Sequence, residues 1–299
     1  MTIDLRQPPT AEAPLSAGAL RYHDLGQGTP VVLLHGLLLN SAFWRKVAPA
    51  LVGRARVIAP DLPLGGHRVP MRAGADLAPP AIADLVAELL DHLGLERAVV
   101  VGNDTGGAVA QLFAVRHPER VAALVLTPCD AFENFLPVLL RYTQLAARIP
   151  GGIWLAAQAL RSPVVQRLPI AIGWLAKHPL PADVTELYLA PSRRDRGVRR
   201  DVAKVLRGIS RAQTRQAAEG LRRLAAPQVL VWADTRKIFP VAHARRLAAQ
   251  APDGRLVLVP DSYAFVPEDN PGPLVDALVR LLAELDGREP AGAGGTTVA

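Results

Sequence analysis

The residues best placed to do chemistry lie between Val99 and Ala108. The apolar run Val99-Val100-Val101 stops at Gly102-Asn103-Asp104-Thr105-Gly106, and a helix-forming stretch, Ala108 to Arg116, follows at once. A strand that ends in a tight turn and restarts as a helix projects one side chain at the tip, the arrangement of a nucleophile elbow. Small residues two before and two after the tip are a steric need, because the two backbones approach closely there. The tip residue is Asp104. A carboxylate so placed can attack an electrophilic carbon to form an ester, or accept a proton if burial raises its pKa.

Other groups could assist it. His67 lies in the loop after the strand that ends near Asp61, at the same edge of the sheet, and is the candidate proton carrier. Asp130, just past the next strand after the elbow helix, is a second candidate catalytic carboxyl. His35 closes the apolar run Val31 to Leu34, where it fixes the His35-Gly36 turn and borders the expected substrate pocket. Tyr142 and Tyr188 could supply an acid to a leaving oxygen, or could sit as amphipathic residues at a boundary between layers. Cys129 reads as a small buried filler. His92, His117, His178 and His243 read as structural.

The elements that must position these groups alternate along the chain. Strand signals fall at Leu20–Asp24, Val31–Leu34, Arg56–Ala59, Ala98–Val101, Ala122–Leu126, Gln228–Trp232 and Leu256–Val259. Helix signals fall at Ser41–Leu51 (Ser41 as N-cap), Pro80–Leu93, the elbow helix, Ala242–Ala249 and Pro273–Glu284. Met1 to Ser16 reads as loose, and the Gly/Thr/Ala-rich stretch 287–299 as a disordered tail. Short apolar strands alternating with helices imply an α/β fold with a mostly parallel sheet covered on both faces. Between about Phe132 and Leu221 the rhythm breaks into helix-like stretches with no strand signal. That pattern gives a core of 1–130 and 222–286 with an inserted cap, 131–221, over the C-terminal strand ends, where ligands bind in such sheets. Within the cap, the apolar run Ile149 to Leu160 reads as a buried helix.

Composition narrows the function classes. A chain of 299 residues, 50% hydrophobic, can bury a large core. One cysteine excludes an internal disulfide and fits a reducing, cytoplasmic setting. No leader-like start and no apolar run long enough to span a bilayer are found, so no membrane partner is expected. The net charge of +7 is uneven: residues 131–223 hold 16 Lys and Arg against 6 Asp and Glu, and the remainder 18 against 21. The basic run Arg193-Arg194-Asp195-Arg196 with Arg199-Arg200 comes without a recognition motif or interleaved aromatics, so a solvated helix face is preferred to nucleic-acid binding. No metal or organic cofactor is implied, and a carboxylate stands where a dinucleotide loop would receive phosphate. The expected partner is a small molecule, with the oligomeric state open.

Taken together, the His35-Gly36 turn, the elbow Gly102 to Gly106, the His117-Pro118-Glu119-Arg120 stretch and the inserted cap resemble the α/β-hydrolase fold over nearly the full chain. Aspartate at the elbow resembles the haloalkane dehalogenase and epoxide hydrolase branches. The resemblance implies an alkyl-enzyme ester on Asp104 that a histidine-activated water hydrolyses, with an oxyanion hole made by the backbone N–H groups of Leu37 and Thr105. It also implies that Asp130 lies near where some dehalogenase-like enzymes place the acid. The chain departs from the family elsewhere. Arg236 stands at the usual acid position, with Asp234 displaced by two, and Ala264, followed by Phe265, stands where the histidine is expected. Thr105 and Leu37 replace the halide-clamping side chains, which weakens dehalogenation. The reading is therefore an enzyme acting on a small, largely apolar molecule between core and cap through Asp104, in a pocket also bordered by Ala264 and Phe265. A non-hydrolytic cyclase, lyase or isomerase, or a ligand-binding pseudoenzyme, is the alternative.

Overall fold

A computed structural model describes residues 3–169, 171, 174–235 and 237–287. The predicted tail therefore lies, apart from Gly287, outside the described residues, as does Arg236. The strands are β1 (Ala11–Leu15), β2 (Gly18–Leu25), β3 (Thr29–Leu34), β4 (Ala55–Pro60), β5 (Ala98–Asn103), β6 (Val121–Cys129), β7 (Gln228–Ala233) and β8 (Gly254–Val259). They form one sheet in the order β1-β2-β4-β3-β5-β6-β7-β8. β2 is antiparallel to β1 and β4, and the pairs from β4 to β8 are parallel. β5 and β7 are buried along their whole length, which is why they read as continuous apolar runs and do not alternate.

The helices before the sixth strand are α1 (Ala48–Leu51), α2 (Pro79–His92) and α3 (Asp104–Arg116). Between β6 and β7 run α4 (Tyr142–Ala146), α5 (Gly152–Ala159), α6 (Pro163–Gln166), α7 (Ala182–Arg194), α8 (Arg196–Gly208) and α9 (Arg211–Leu221). α10 (Val241–Gln250), α11 (Val266–Asp269) and α12 (Gly272–Leu285) complete the chain. α2 is amphipathic and opens on Pro79-Pro80, which suit the first helical positions because they need no N–H there. α3 is buried from Asp104 to Ala114, because it lies on β5 and β6 with α2 and α9 packed over it.

Four local expectations are corrected. Residues 11–15 are not loose: they form β1, with Ala13 and Leu15 inward and Pro14 outward on an edge strand, where its missing N–H is tolerated. The helix predicted from Ser41 to Leu51 is split into a 3₁₀ turn at Ser41–Trp44 and α1, and the cap is Asn40, whose side chain accepts from the Ala42 N–H at 3.1 Å. The strand predicted to end at Leu126 continues to Cys129, carrying Asp130 to the sheet edge. α9 packs on α3, with Gly220 against Val115. The apolar run predicted to be a buried helix is α5, yet only Ala157 within it is buried, while Trp154 and Leu155 are 47% and 65% exposed.

The basic run resolves into α8, capped by the Asp195 side chain accepting from the N–H groups of Gly197 (2.6 Å) and Val198 (3.1 Å). Val198, Val202, Val205 and Leu206 face inward, and Arg196, Arg199 and Arg207 lie on the more open side. No helix among the described residues is long and apolar enough to cross a membrane.

Candidate active site

The elbow forms as its sequence requires. Asp104 has φ +52°, a left-handed conformation that aspartate tolerates better than most residues. A Cβ on Gly106 would lie 2.3 Å from the His35 carbonyl oxygen, and one on Gly102 would lie 2.6 Å from the Gly107 Cα, so side chains are excluded on both flanks. Gly36 has the same role toward the reactive group, since its Cβ would meet Asp104 Oδ2 at 2.3 Å. That close approach lets the Leu37 N–H donate to Asp104 Oδ2 at 3.0 Å. The Thr105 N–H supports the same carboxylate. The two backbone donors expected to form the oxyanion hole thus hold the elbow carboxylate itself. Burial pushes the Asp104 pKa up to about 6, and these two N–H groups offset part of that rise.

Asn103 aligns the surrounding strand ends. Its side-chain amide donates to Thr127 Oγ1 (2.8 Å), the Pro128 carbonyl (3.2 Å) and the Ala264 carbonyl (2.8 Å). Gln111 of α3 donates to the Asp130 carbonyl at 2.7 Å. The Asp130 side chain is fully buried, and neither carboxyl oxygen has a hydrogen-bond partner. Burial, with the charge of neighbouring Asp104, pushes its pKa well above the carboxylate range, so it is held protonated. A buried carboxyl left ionised and unpaired would cost several kcal/mol, and taking up a proton avoids that cost. Cys129, between the two in space, has its thiol pushed up by burial and is inert.

The structure sets other predicted residues apart from Asp104. His67 is buried, with Nδ1 accepting from the Gly65 N–H at 3.2 Å and Nε2 facing Asp201 Oδ2 at 3.3 Å. It does not wall the cavity at Asp104. His35 is used up by backbone: Nε2 accepts from the Leu62 N–H at 2.9 Å, which makes Nδ1 the protonated nitrogen donating to the Gly36 carbonyl. Burial lowers its pKa to about 4, so it stays neutral, fixes the turn and does not wall the cavity. Tyr188 is fully buried, donates to Glu268 Oε1 at 2.8 Å and accepts from Arg45 at 3.0 Å. It ties α7 to the core and, unlike Tyr142, stands away from Asp104. Ala264 and Phe265 are buried; Phe265 stacks edge-on against Phe43 at 5.2 Å, and its N–H donates to the Leu175 carbonyl at 2.9 Å. Neither walls the cavity at Asp104. Asp234 is exposed.

The cavity at Asp104 is about 50 Å³. Leu37 and Leu38 wall it from the core, and Leu140, Tyr142, Leu160 and Leu175 from the α4–α6 side. Apart from Asp104 the lining is largely apolar. Sequence reasoning missed Asn103 and Gln111, although an amide interrupting the Val-rich end of β5 was a readable signal. It also missed Asp201 and Glu268, whose partners are distant in the chain. Among the described residues, no three His, Cys, Asp or Glu side chains are grouped to hold a metal ion.

This sheet order, elbow and backbone-held carboxylate define a class. The sequence signature of the alpha/beta hydrolase fold matches residues 29–271, and the chain belongs to that family. It is 29% identical over 270 residues to haloalkane dehalogenase 2 of Mycobacterium tuberculosis, covering 88% of this chain and 91% of that protein. Among solved structures, an alpha/beta hydrolase fold protein from Burkholderia ambifaria superposes with a TM-score of 0.76 at 25% identity, over 90% of this chain and 97% of that one. The epoxide hydrolase CorEH gives a TM-score of 0.77 at 22% identity, over 93% and 100%, a likeness of fold.

Proposed function

We propose that this chain is an enzyme acting on a small, largely apolar electrophile held against Asp104, and that Asp104 attacks its carbon to form an ester as the epoxide C–O bond opens, the freed oxygen taking a proton from the Tyr142 hydroxyl at the cavity wall or from water. The observation that carries the reading is the Leu37 N–H to Asp104 Oδ2 bond at 3.0 Å inside an apolar cavity. Two backbone donors orient the carboxylate and leave it desolvated, which favours attack on an sp³ carbon such as that of an epoxide. The likeness to a haloalkane dehalogenase and to an epoxide hydrolase supports the same chemistry. Ala264 offers no base to activate water, and neither His67 nor His35 has a free ring nitrogen facing the site. The ester should therefore persist, since general-base help is worth roughly 10²–10⁴-fold.

A second reading draws on Asp130. A protonated, unpartnered carboxyl beside an ionisable one resembles an acid–base pair, which favours proton transfer in a non-hydrolytic reaction.

Intact-protein mass after incubation with small epoxides and alkyl halides separates the two. Nucleophilic attack predicts an adduct that accumulates on the wild type and is absent from Asp104→Asn. Absence of adduct and of turnover across the panel would overturn the nucleophilic reading and favour the acid–base one.

A further inference from the structure

Among the described residues, eleven large apolar side chains stand exposed, and nine of them fall between residues 138 and 168. Val138 (71%), Leu155 (65%) and Val164 (73%) are the most open, and Leu145, Ile149 and Trp154 accompany them. Grouped exposed apolar surface of this kind marks a contact face. The same stretch, 138–168, contains Arg141, Arg148, Arg161 and Arg167 and no Asp or Glu. A shallow cleft beside it brings Ile149 and Trp154 alongside Arg196, Arg199 and Arg200 of α8, so the basic run joins the apolar face.

We infer that the α4–α6 face docks on the surface of an anionic lipid bilayer. Apolar side chains and a tryptophan set among arginines, with no acidic residue within 138–168 and bordering Glu186 ion-paired to Arg193 and Arg194, suit insertion at the headgroup boundary of a negatively charged membrane. Charge decides against the rival occupant, a second copy of the chain: a two-fold contact would set this arginine-bearing face against itself. No spanning segment is needed for such contact.

The face is also part of the wall whose residues Leu140, Tyr142 and Leu160 border Asp104. A substrate dissolved in the bilayer would then reach the cavity without crossing water. This consequence rests on the function proposed above, whereas the docking itself does not.

Sedimentation with vesicles of phosphatidylcholine alone, and with about one-third phosphatidylglycerol, tests the docking. The wild type should bind the anionic vesicles, with a blue shift in tryptophan emission, and release as salt rises. The pairs Trp154→Ser with Leu155→Ser, and Arg148→Gln with Arg161→Gln, should each weaken binding at least about tenfold. Leu258→Ser, an exposed apolar residue on β8, should bind as the wild type does. Equal binding to neutral vesicles, no binding to anionic ones, or unchanged binding by both pairs would overturn the proposal. So would a dimer in solution that Trp154→Ser with Leu155→Ser dissolves, without vesicle binding by the wild type.

Discussion

At the scale of single residues, the carboxyl of Asp104 carries a measurable cost. Its pKa rises from 3.8 to about 6, chiefly through burial, so the folded state holds a proton more tightly than the unfolded chain. That contribution to stability is fully present below about pH 4 and is lost as pH rises through about 6. Asn at this position keeps an acceptor for Leu37 and never ionises. Asp104→Asn should match the wild type in urea unfolding near pH 4 and exceed it by about 3 kcal/mol above pH 7. An equal difference at both pH values would contradict the shift. The place of Asp104 at the elbow was legible in the sequence, because the elbow is defined by neighbours a few residues away. The setting of His67 was not, since its partner Asp201 is 134 residues distant.

At the scale of elements, a buried cluster helps anchor α7 to the core, beside the bonds of Asn40 to the Leu187 carbonyl and of Ser192 to the Gly65 carbonyl. Glu268, in α11 just after Ala264, accepts a bidentate pair from Arg45 and the Tyr188 hydroxyl, with Lys46 bonding its carbonyl at 2.6 Å. Glu268 is almost wholly buried and Arg45 largely so. Removing the carboxylate leaves a guanidinium unpaired in low dielectric, so Glu268→Ala should cost about 3 kcal/mol or more. Tyr188→Phe removes one hydrogen bond and leaves the ion pair, and should cost about 1 kcal/mol. Urea titrations check both, and equal losses would show that the pair is not what α7 leans on. A second tie joins α8 to the loop after β4. Burial alone would raise the Asp201 carboxyl, yet bonds from His67, Arg200 and the Met71 N–H hold it below its usual value. Helix and strand existence was largely legible from apolar spacing. The split at Ser41–Leu51 and the pairing of β1 were not, because a tertiary partner outweighed local preference in each.

At the scale of the whole molecule, the sheet, its covering helices and the α7–α8 layer share one continuous apolar cluster, from Leu5 through Leu189 to Leu282. With no separate core of its own, that layer should not unfold alone. Far-ultraviolet circular dichroism and tryptophan fluorescence should trace superimposable urea transitions, Trp44 and Trp232 reporting from the centre and Trp154 from the outer face. Two resolved transitions would mean that the inserted helices form an independent unit.

The sequence by itself determined the alternation of strands and helices and the carboxylate at the elbow. Both are short-range patterns, set by side-chain size and spacing within a few residues. Only the tertiary structure decided that Asp130 lies partnerless beside Asp104, that Tyr188 belongs to an ionic tie and not to the cavity, and that the apolar run of α5 faces outward. Those outcomes depend on which side of an element meets which neighbour. Residues as far apart as Arg45 and Glu268, 223 positions in sequence, settle that choice only when the chain has closed on itself.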